Sequence, residues 1–429
     1  MPKQTLSPYL FVFFVAALAR GAGLWWLFPP LGWEDVGRGF ELGQVAANIA
    51  QGRGMSSPFA PGDSPTAWFM PAVPLLWALL FKLTGVFSLQ SLVALYSLES
   101  FLAGATACCY LWLLREIVPD GTRRALPIVA VLVAALLPEH LVALTRPWYW
   151  GAQRLGVALM LMAALRWHRE PTFRSAASLG LIAGLTLLVN SVPLLLFAAL
   201  LVQCLVRSKN RSAAARGAVV AVFACSAVVA PWAARNYGAF GALVPLRQNT
   251  WVEIRQGNNP DGSVIQGLDS LHPNVSETER RRYAELGERG YEALARSEAL
   301  SYIATHPAET ARRTTMRAVF FWLSDLFHEG VYGSRTWGEK SLLEKVRDVT
   351  FFLVATVPLI LAALALARGW LRRVPERWLV VTPLVVLPLP YYISHIHPTY
   401  FTSVKALLIM LAVIGVGESK STKPSPTLH

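Results

Sequence analysis

Charge is what this chain has least of. Only 15% of its 429 residues are Asp, Glu, Lys or Arg, against about 25% in soluble proteins. With 54% hydrophobic residues, that deficit argues against an ordinary soluble domain and points to a polytopic membrane protein. Cysteine is scarce too. Cys108, Cys109, Cys204 and Cys225 all lie in apolar runs without metal or disulfide spacing. They read as small buried hydrophobes. The sequence holds neither a Gly-rich phosphate loop nor a dinucleotide fingerprint, a lack that fits a lipid-linked donor and equally a non-enzyme. The N-terminal apolar run has no Ala-x-Ala-type cleavage site, so it reads as a retained first span.

The charge that is present has a pattern. The formal net charge is +13, with Lys and Arg concentrated at 115–124, 166–174, 207–216, 368–377 and 420–423. These are short links between apolar runs, so the excess is the positive-inside signal of a membrane protein. Segment 235–348 holds 15 basic and 15 acidic residues. That balance is unlike a nucleic-acid surface, so nucleic acid is not an expected partner and membrane lipid is.

Hydropathy predicts an all-α polytopic protein of about ten spans. They fall near 8–28, 90–114, 125–144, 151–166, 217–234, 349–367, 378–396 and 399–416, and two short spans in 175–206 meet at Asn190-Ser-Val-Pro193. Residues 1–234 form an N-terminal transmembrane region whose first outer loop is 31–89. Residues 235–348 form a small outer helical lobe, 349–417 the last spans, and 418–429 a disordered cytoplasmic tail. Both termini then face the cytoplasm of a multi-pass protein in the inner (plasma) membrane. Within the outer loop, 40–51 has helical spacing, and Pro-interrupted 65–84 reads as a juxtamembrane helix. In the lobe, 235–263 carries loop and turn signals. Ser276-Glu-Thr-Glu279 is a capping box that opens a helix over 277–305. A second helix covers 308–326. Arg20 and Glu99 fall inside spans, where an ionisable group needs a partner or a cavity; Glu99 is a candidate partner for Arg20.

The first outer loop gathers Glu34, Asp35, Glu41 and Asp63 just outside a span. Cations expected on the same face are Arg146, Arg154, Arg235, Arg247 and Arg255. Arg suits phosphate because its planar fork makes paired hydrogen bonds. Asn249, Asn258 and Asn259 suit sugar hydroxyls. Each has a plainer reading. Glu41 fits a first-turn charge on the helix dipole, Glu34 a solvated side chain and Asp63 a turn residue. Arg235 and Arg247 fit interface anchors or loop ion pairs. Glu139-His140 fits a structural polar pair, and His395-x-His397 an interfacial one, two imidazoles being a poor metal set.

Several stretches together resemble the GT-C superfamily of polytopic glycosyltransferases. They are FELGQVAANIAQGRGMSSPF, SPTAWFMPAVPLLWALLFKLTGVFS, GLIAGLTLLVNSVPLLL, APWAARNYGAFGALVPLRQNTWVEIRQGNNP, YIATHPAETARRTTMRAVFFW and PLPYYISHIHP. The superfamily includes the dolichyl-phosphate-mannose protein mannosyltransferases and the lipid A aminoarabinose transferases, and the likeness is to its bacterial branch. The resemblance implies a GT-C-like bundle and transfer of a sugar, with inversion, from a polyprenyl-phosphate donor at the outer face. The acceptor is a lipid, glycan or protein. A first-loop carboxylate, Glu41 or Asp35, serves as base. Glu34, Arg146, Arg235, Arg247, Asn249, Asn258 and Asn259 would bind substrate. No organic cofactor and no metal ligand are assigned, and a divalent cation stays open. The chain departs from the family pattern in three places: Glu34-Asp35 stands slightly early for the acidic pair expected before the first-loop helix, Gly151, Ala152 and Gln153 replace an acid after Trp150, and Thr399-Tyr400-Phe401 replaces an Arg-Tyr-Arg-like stretch. A transporter or lipid flippase, or a non-catalytic relative, is the alternative reading.

Overall fold

The computed structural model describes residues 6–24, 32–59, 64–118, 124–136, 148–261, 271–323, 338, 340–367, 374, 376–396, 400 and 402–419. Among these, helices account for all regular structure. They are α1 (Ser7–Ala22), α2 (Phe40–Ala50), α3 (Ala72–Thr84), α4 (Leu89–Ile117), α5 (Leu126–Leu136), α6 (Trp150–Arg169), α7 (Phe173–Leu187) and α8 (Pro193–Arg207). There follow α9 (Arg211–Phe240), α10 (Thr250–Gly257), α11 (Glu277–Thr305), α12 (Pro307–Leu323), α13 (Leu342–Ala367), α14 (Trp378–Val386), α15 (Leu389–Ile393) and α16 (Thr402–Ser419).

Local sequence explains many of the boundaries. The run 175–206 does divide: α7 ends at Leu187 and α8 starts on Pro193, whose fixed φ suits a first helical turn. Buried Asn190 occupies the break and donates to Gln153 Oε1 at 2.6 Å. Ser276 caps α11, accepting from the Glu279 N–H at 3.3 Å. One expectation fails. Residues 250–257 form α10 where turn signals predict loop. Asn258, Asn259, Pro260 and Gly262 follow it directly, and those breakers conceal eight helical residues. α11 is also not one straight rod, because Gly287 sits at φ 68 and kinks it.

Two helices, α4 and α9, are long and apolar enough to cross a membrane by length and composition. Eight shorter apolar helical stretches of 10–17 residues accompany them among the described residues. Close approach is built from small residues, as in membrane bundles. Gly180 of α7 packs on the Ala221 carbonyl of α9, and Gly184 lies one turn on against Val228. One core runs through α4, α5, α6, α7, α8 and α16. A second, aromatic core joins the segment after α1 and the start of α4 to α10 and α11 through Trp33, Trp68, Trp77, Tyr96, Val252 and Tyr291.

The lobe is fastened to the segment after α1 by buried carboxylates. Glu288, just past the kink, accepts from the Thr66 hydroxyl, from the Ala67 N–H at 2.6 Å and from the Tyr283 hydroxyl at 2.8 Å. Glu292 caps the start of α10, accepting from the N–H groups of Trp251 (2.8 Å) and Val252 (3.3 Å). A carboxylate there satisfies orphan donors and meets the positive helix end. Arg255 is fully buried and ion-paired to Glu279 and Glu298, each at 2.7 Å. At the other end of α10, Arg317 donates to the carbonyls of Gly257 and Ile393. A cation at a helix C-terminus is the favourable sign.

The small-residue contact gives a paired test. Gly180→Ala drives a methyl into the Ala221 carbonyl, whereas Gly238 of α9 has open space for one. Overpacking costs about 1–3 kcal/mol, and a methyl in an open helical site gains about 0.5–1 kcal/mol. Thermal unfolding in detergent should show Gly180→Ala lowered and Gly238→Ala level or raised. Equal effects would remove this contact from the packing.

Candidate active site

The start of α2 is a strained presentation of Glu41. The Trp33 indole N–H anchors the entry, donating to Ser88 O at 2.8 Å and Ser91 Oγ at 3.0 Å. Gly37, Arg38, Gly39 and Phe40 then follow with φ of 58, 49, 69 and 49°. Arg38 and Phe40, non-glycine residues at positive φ, each carry about 1–3 kcal/mol of strain. Gly39 packs under Trp77, and Gly43 receives the Arg38 carbonyl where any side chain would collide. The loop therefore closes over the first turn of α2, and Glu41 follows it with only 8% exposure. Such strain persists where the surroundings over-determine it, and it gathers at functional sites.

Glu41 Oε1 lies 3.3 Å from His272 Nε2. The Asn274 side chain and the backbone N–H of Glu41 also donate to its carboxylate. Burial pushes the Glu41 carboxyl up to about 7, and the nearby Glu253 charge adds to the rise, while the two hydrogen bonds oppose it. An acid poised near neutrality is suited to taking and giving a proton. Aromatic rings wall the pair. His272 meets Phe59 (5.7 Å) and Trp68 (6.1 Å) edge to face, and Tyr283 closes against both.

A second group lies around α10. Asn249 donates to Glu253 Oε1 at 3.1 Å. His395 Nε2 is 3.6 Å from Glu253 Oε2 and 3.1 Å from the Tyr400 hydroxyl. Tyr400 stacks on Tyr391 at 4.4 Å. Arg247 is hydrogen-bonded to Tyr149 and lies among Glu253, Tyr391 and Tyr400. Burial works to lower its pKa, but those neighbours outweigh it and the guanidinium is held charged. Among the described residues Arg247 Nε, Asn249 Oδ1, Gln256 Oε1, Asn258 Oδ1 and Asn259 Oδ1 are buried without a hydrogen-bond partner. Orphaned groups of this kind call for an occupant that supplies the missing bonds.

The sequence candidates divide between these places. Glu41 and Glu253 interact electrostatically, so α2 and the group of Arg247 and Asn249 form one region. Asn258 and Asn259 sit on the C-terminal edge of α10. Their amide nitrogens are used internally, Asn258 on Ile254 O and Ile393 O, Asn259 on Arg255 O and Gln256 O. Arg235 is a clasp, donating to Thr66 O (2.8 Å) and Met55 O (2.7 Å). Glu34 pairs with Arg38 on the surface at 2.6 Å. Asp35 lies in the short 3-10 turn Glu34–Gly39, and its side chain is outside the described residues. Arg146, Asp63, Glu139, His140 and His397 lie outside them altogether. His395 is buried, at 2% exposure. Among the described residues no three His, Cys, Asp or Glu side chains gather as a metal site.

Sequence reading passed over His272, Glu253, Tyr149, Tyr391 and Tyr400. His272 stands in a Pro-Asn turn and Glu253 in the concealed helix, so neither carries a spacing signal. Glu41 supplies a test. In the unfolded chain its carboxyl ionises near 4.5, in the fold near 7. Between those values the unfolded state has already lost the proton, so stability falls as pH rises. Glu41→Gln should be more stable than wild type at pH 8, by up to roughly 3 kcal/mol, and equal to it at pH 4. Equal urea midpoints at both pH values would contradict the buried carboxylate.

No protein-family model matches the chain, and no curated protein matches it by sequence. Solved structures do match in fold. The archaeal oligosaccharyltransferase AglB of Archaeoglobus fulgidus, in complex with an inhibitory peptide and a dolichol-phosphate, aligns with TM-score 0.50 and 14% identity over 94% of this chain and 50% of that one. The apo form of the Archaeoglobus fulgidus oligosaccharyltransferase gives 0.53 and 14%, over 94% and 50%. The form tethered to an acceptor peptide containing the NVT sequon gives 0.51 and 16%, over 94% and 49%. This chain spans about half the length of those proteins. Its fold is thus similar to that of the archaeal oligosaccharyltransferase.

Proposed function

We propose that this protein is an integral-membrane, inverting glycosyltransferase. It takes a sugar from a polyprenyl-phosphate donor at the outer face of the inner (plasma) membrane and passes it to a lipid, glycan or protein acceptor. The reading has about ten spans and cytoplasmic termini. The observation that carries it is the buried Glu41 carboxyl, held near neutrality beside His272 at the strained start of α2.

In this mechanism the ionised Glu41 takes the proton of the acceptor nucleophile as it attacks the anomeric carbon. The bond from that carbon to the phosphate oxygen breaks, and the phosphate leaves with the electron pair. Attack opposite to departure inverts the configuration. Arg247, with the Tyr149 and Tyr400 hydroxyls, stabilises the charge on the leaving phosphate. The free carbonyl oxygens of Asn249, Asn258 and Asn259 accept from sugar hydroxyls. The aromatic walls Phe59, Trp68 and Tyr283 hold an apolar sugar face. Asp35 is the alternative base.

Asp35→Ala and Glu41→Ala, made separately with insertion confirmed, decide the assignment. Transfer from polyprenyl-phosphate sugar should fall about 10²–10⁴-fold in one of them, as for loss of a general base. Normal transfer in both would remove the catalytic role. The flippase reading is favoured by one observation, the buried Arg20, Glu99 and Arg154. Lipid flipping in proteoliposomes without sugar transfer would select it.

A further inference from the structure

Between α1, α4, α5, α6 and α16 lies a small, half-open cleft with a cavity volume of about 50 Å³. Its walls are mostly small and apolar, including Ala16, Ala103, Ala107, Val131 and Ala134. Its polar lining is Arg20, Arg154, Tyr110 and Thr106. Arg20, Glu99 and Arg154 are exposed by only 3, 8 and 9%. Glu99 packs against the backbone of Gly151 and acts electrostatically on both guanidiniums. Two cations thus face one carboxylate, and the cleft is net positive.

The balance of hydrogen bonds is also incomplete. Among the described residues Arg154 Nε and Nη2 and the Tyr110 hydroxyl are buried with no hydrogen-bond partner. Two guanidiniums in apolar surroundings with one carboxylate between them and buried N–H groups unbonded are costly. The deficit has a definite shape: it calls for a compact anion with several acceptor oxygens. Phosphate fits the guanidinium fork and accepts from a phenol as well. The alanine walls cannot solvate a free ion, but they suit a hydrocarbon chain. The opposite face of α1 exposes Phe11, Phe14 and Leu18, a surface compatible with lipid around this helix.

We propose that this cleft binds the phosphate headgroup of an anionic membrane lipid. Arg154 holds it through Nε and Nη2, Tyr110 donates a further bond, and Arg20 adds charge. The set of side chains is distinct from the Glu41 region, and α6 links the two. Tyr149 and Gln153, at the start of α6, serve the Arg247 group, while Arg154 lines the cleft. The site does not depend on sugar transfer.

The test uses the full chain in detergent and native mass spectrometry with three probes: a polyprenyl phosphate, dioleoyl phosphatidic acid and inorganic phosphate. Dioleoyl phosphatidylcholine is the control. At least one phosphomonoester lipid should bind above the control. Arg154→Gln should weaken it about tenfold or more, the effect of one lost charge-assisted contact. Glu99→Gln should strengthen it, because it removes the opposing charge. Misfolding lowers binding and cannot produce that opposite sign. If Arg154→Gln does not fold, Glu99→Gln decides alone: tighter binding supports the site, and equal or weaker binding overturns it. Preference for the polyprenyl phosphate assigns the site to an isoprenoid carrier, and preference for phosphatidic acid to a phospholipid; both support the proposal. It is overturned if neither lipid exceeds the control, if both variants match wild type, or if inorganic phosphate displaces the lipid at equal concentration.

Discussion

A carboxylate that would rather be in water is held out of it, and much of the region around α2, α10 and α11 serves that end. Burial raises the Glu41 carboxyl to about 7, so the fold bears a cost whenever the group ionises. The positive-φ run at residues 37–40 adds its own strain. Neither would persist on a free loop. They persist because Trp33, Trp77 and Phe81 pack edge to face beneath the turn, and because Gly43 leaves room for the Arg38 carbonyl.

The lobe completes the enclosure, since His272 and Asn274 reach Glu41 only when α11 is docked. Docking depends on charges used as fasteners: Glu288 on the first loop, Glu292 on the start of α10, and Arg255 among Glu279, Glu298 and Tyr291. Removing one partner of such a buried set leaves the other unpaired, which is costly. α10 is pinned at both ends, by Glu292 and by Arg317. A pinned short helix gives Arg247, Asn249 and Glu253 fixed positions beside α2. The geometry supports a preorganised site more than one assembled by large motion.

Patterns set by short-range rules were legible in the sequence. The division at Asn190–Pro193, the Ser276 cap and the start of α2 all follow from local residue chemistry. The acidic first loop was legible as a candidate site because carboxylates are rare in a chain so poor in charge. Tertiary geometry was not. α10 is hidden by flanking Asn, Gly and Pro, and its stability comes from Glu292, a residue 41 positions from Trp251. His272 has no spacing relation to Glu41. Arg235 looked like a phosphate ligand because sequence shows charge and not the carbonyls of Met55 and Thr66 that use it. Glu99 shows the converse: no acid follows Trp150 in the sequence, yet a carboxylate from α4 lies against Gly151 in space.

The central claim is that the fold holds one first-loop carboxyl near neutrality. Difference infrared spectroscopy of the full chain between pH 5 and 8 measures that directly. The account predicts a protonated-carboxyl band that disappears with a midpoint near 7 and is weakened in Glu41→Gln, the remainder coming from the buried Glu288 carboxyl, also pushed up to about 7. A spectrum in which Glu41→Gln leaves that band unchanged, its carboxyl titrating near 4.5, would contradict it.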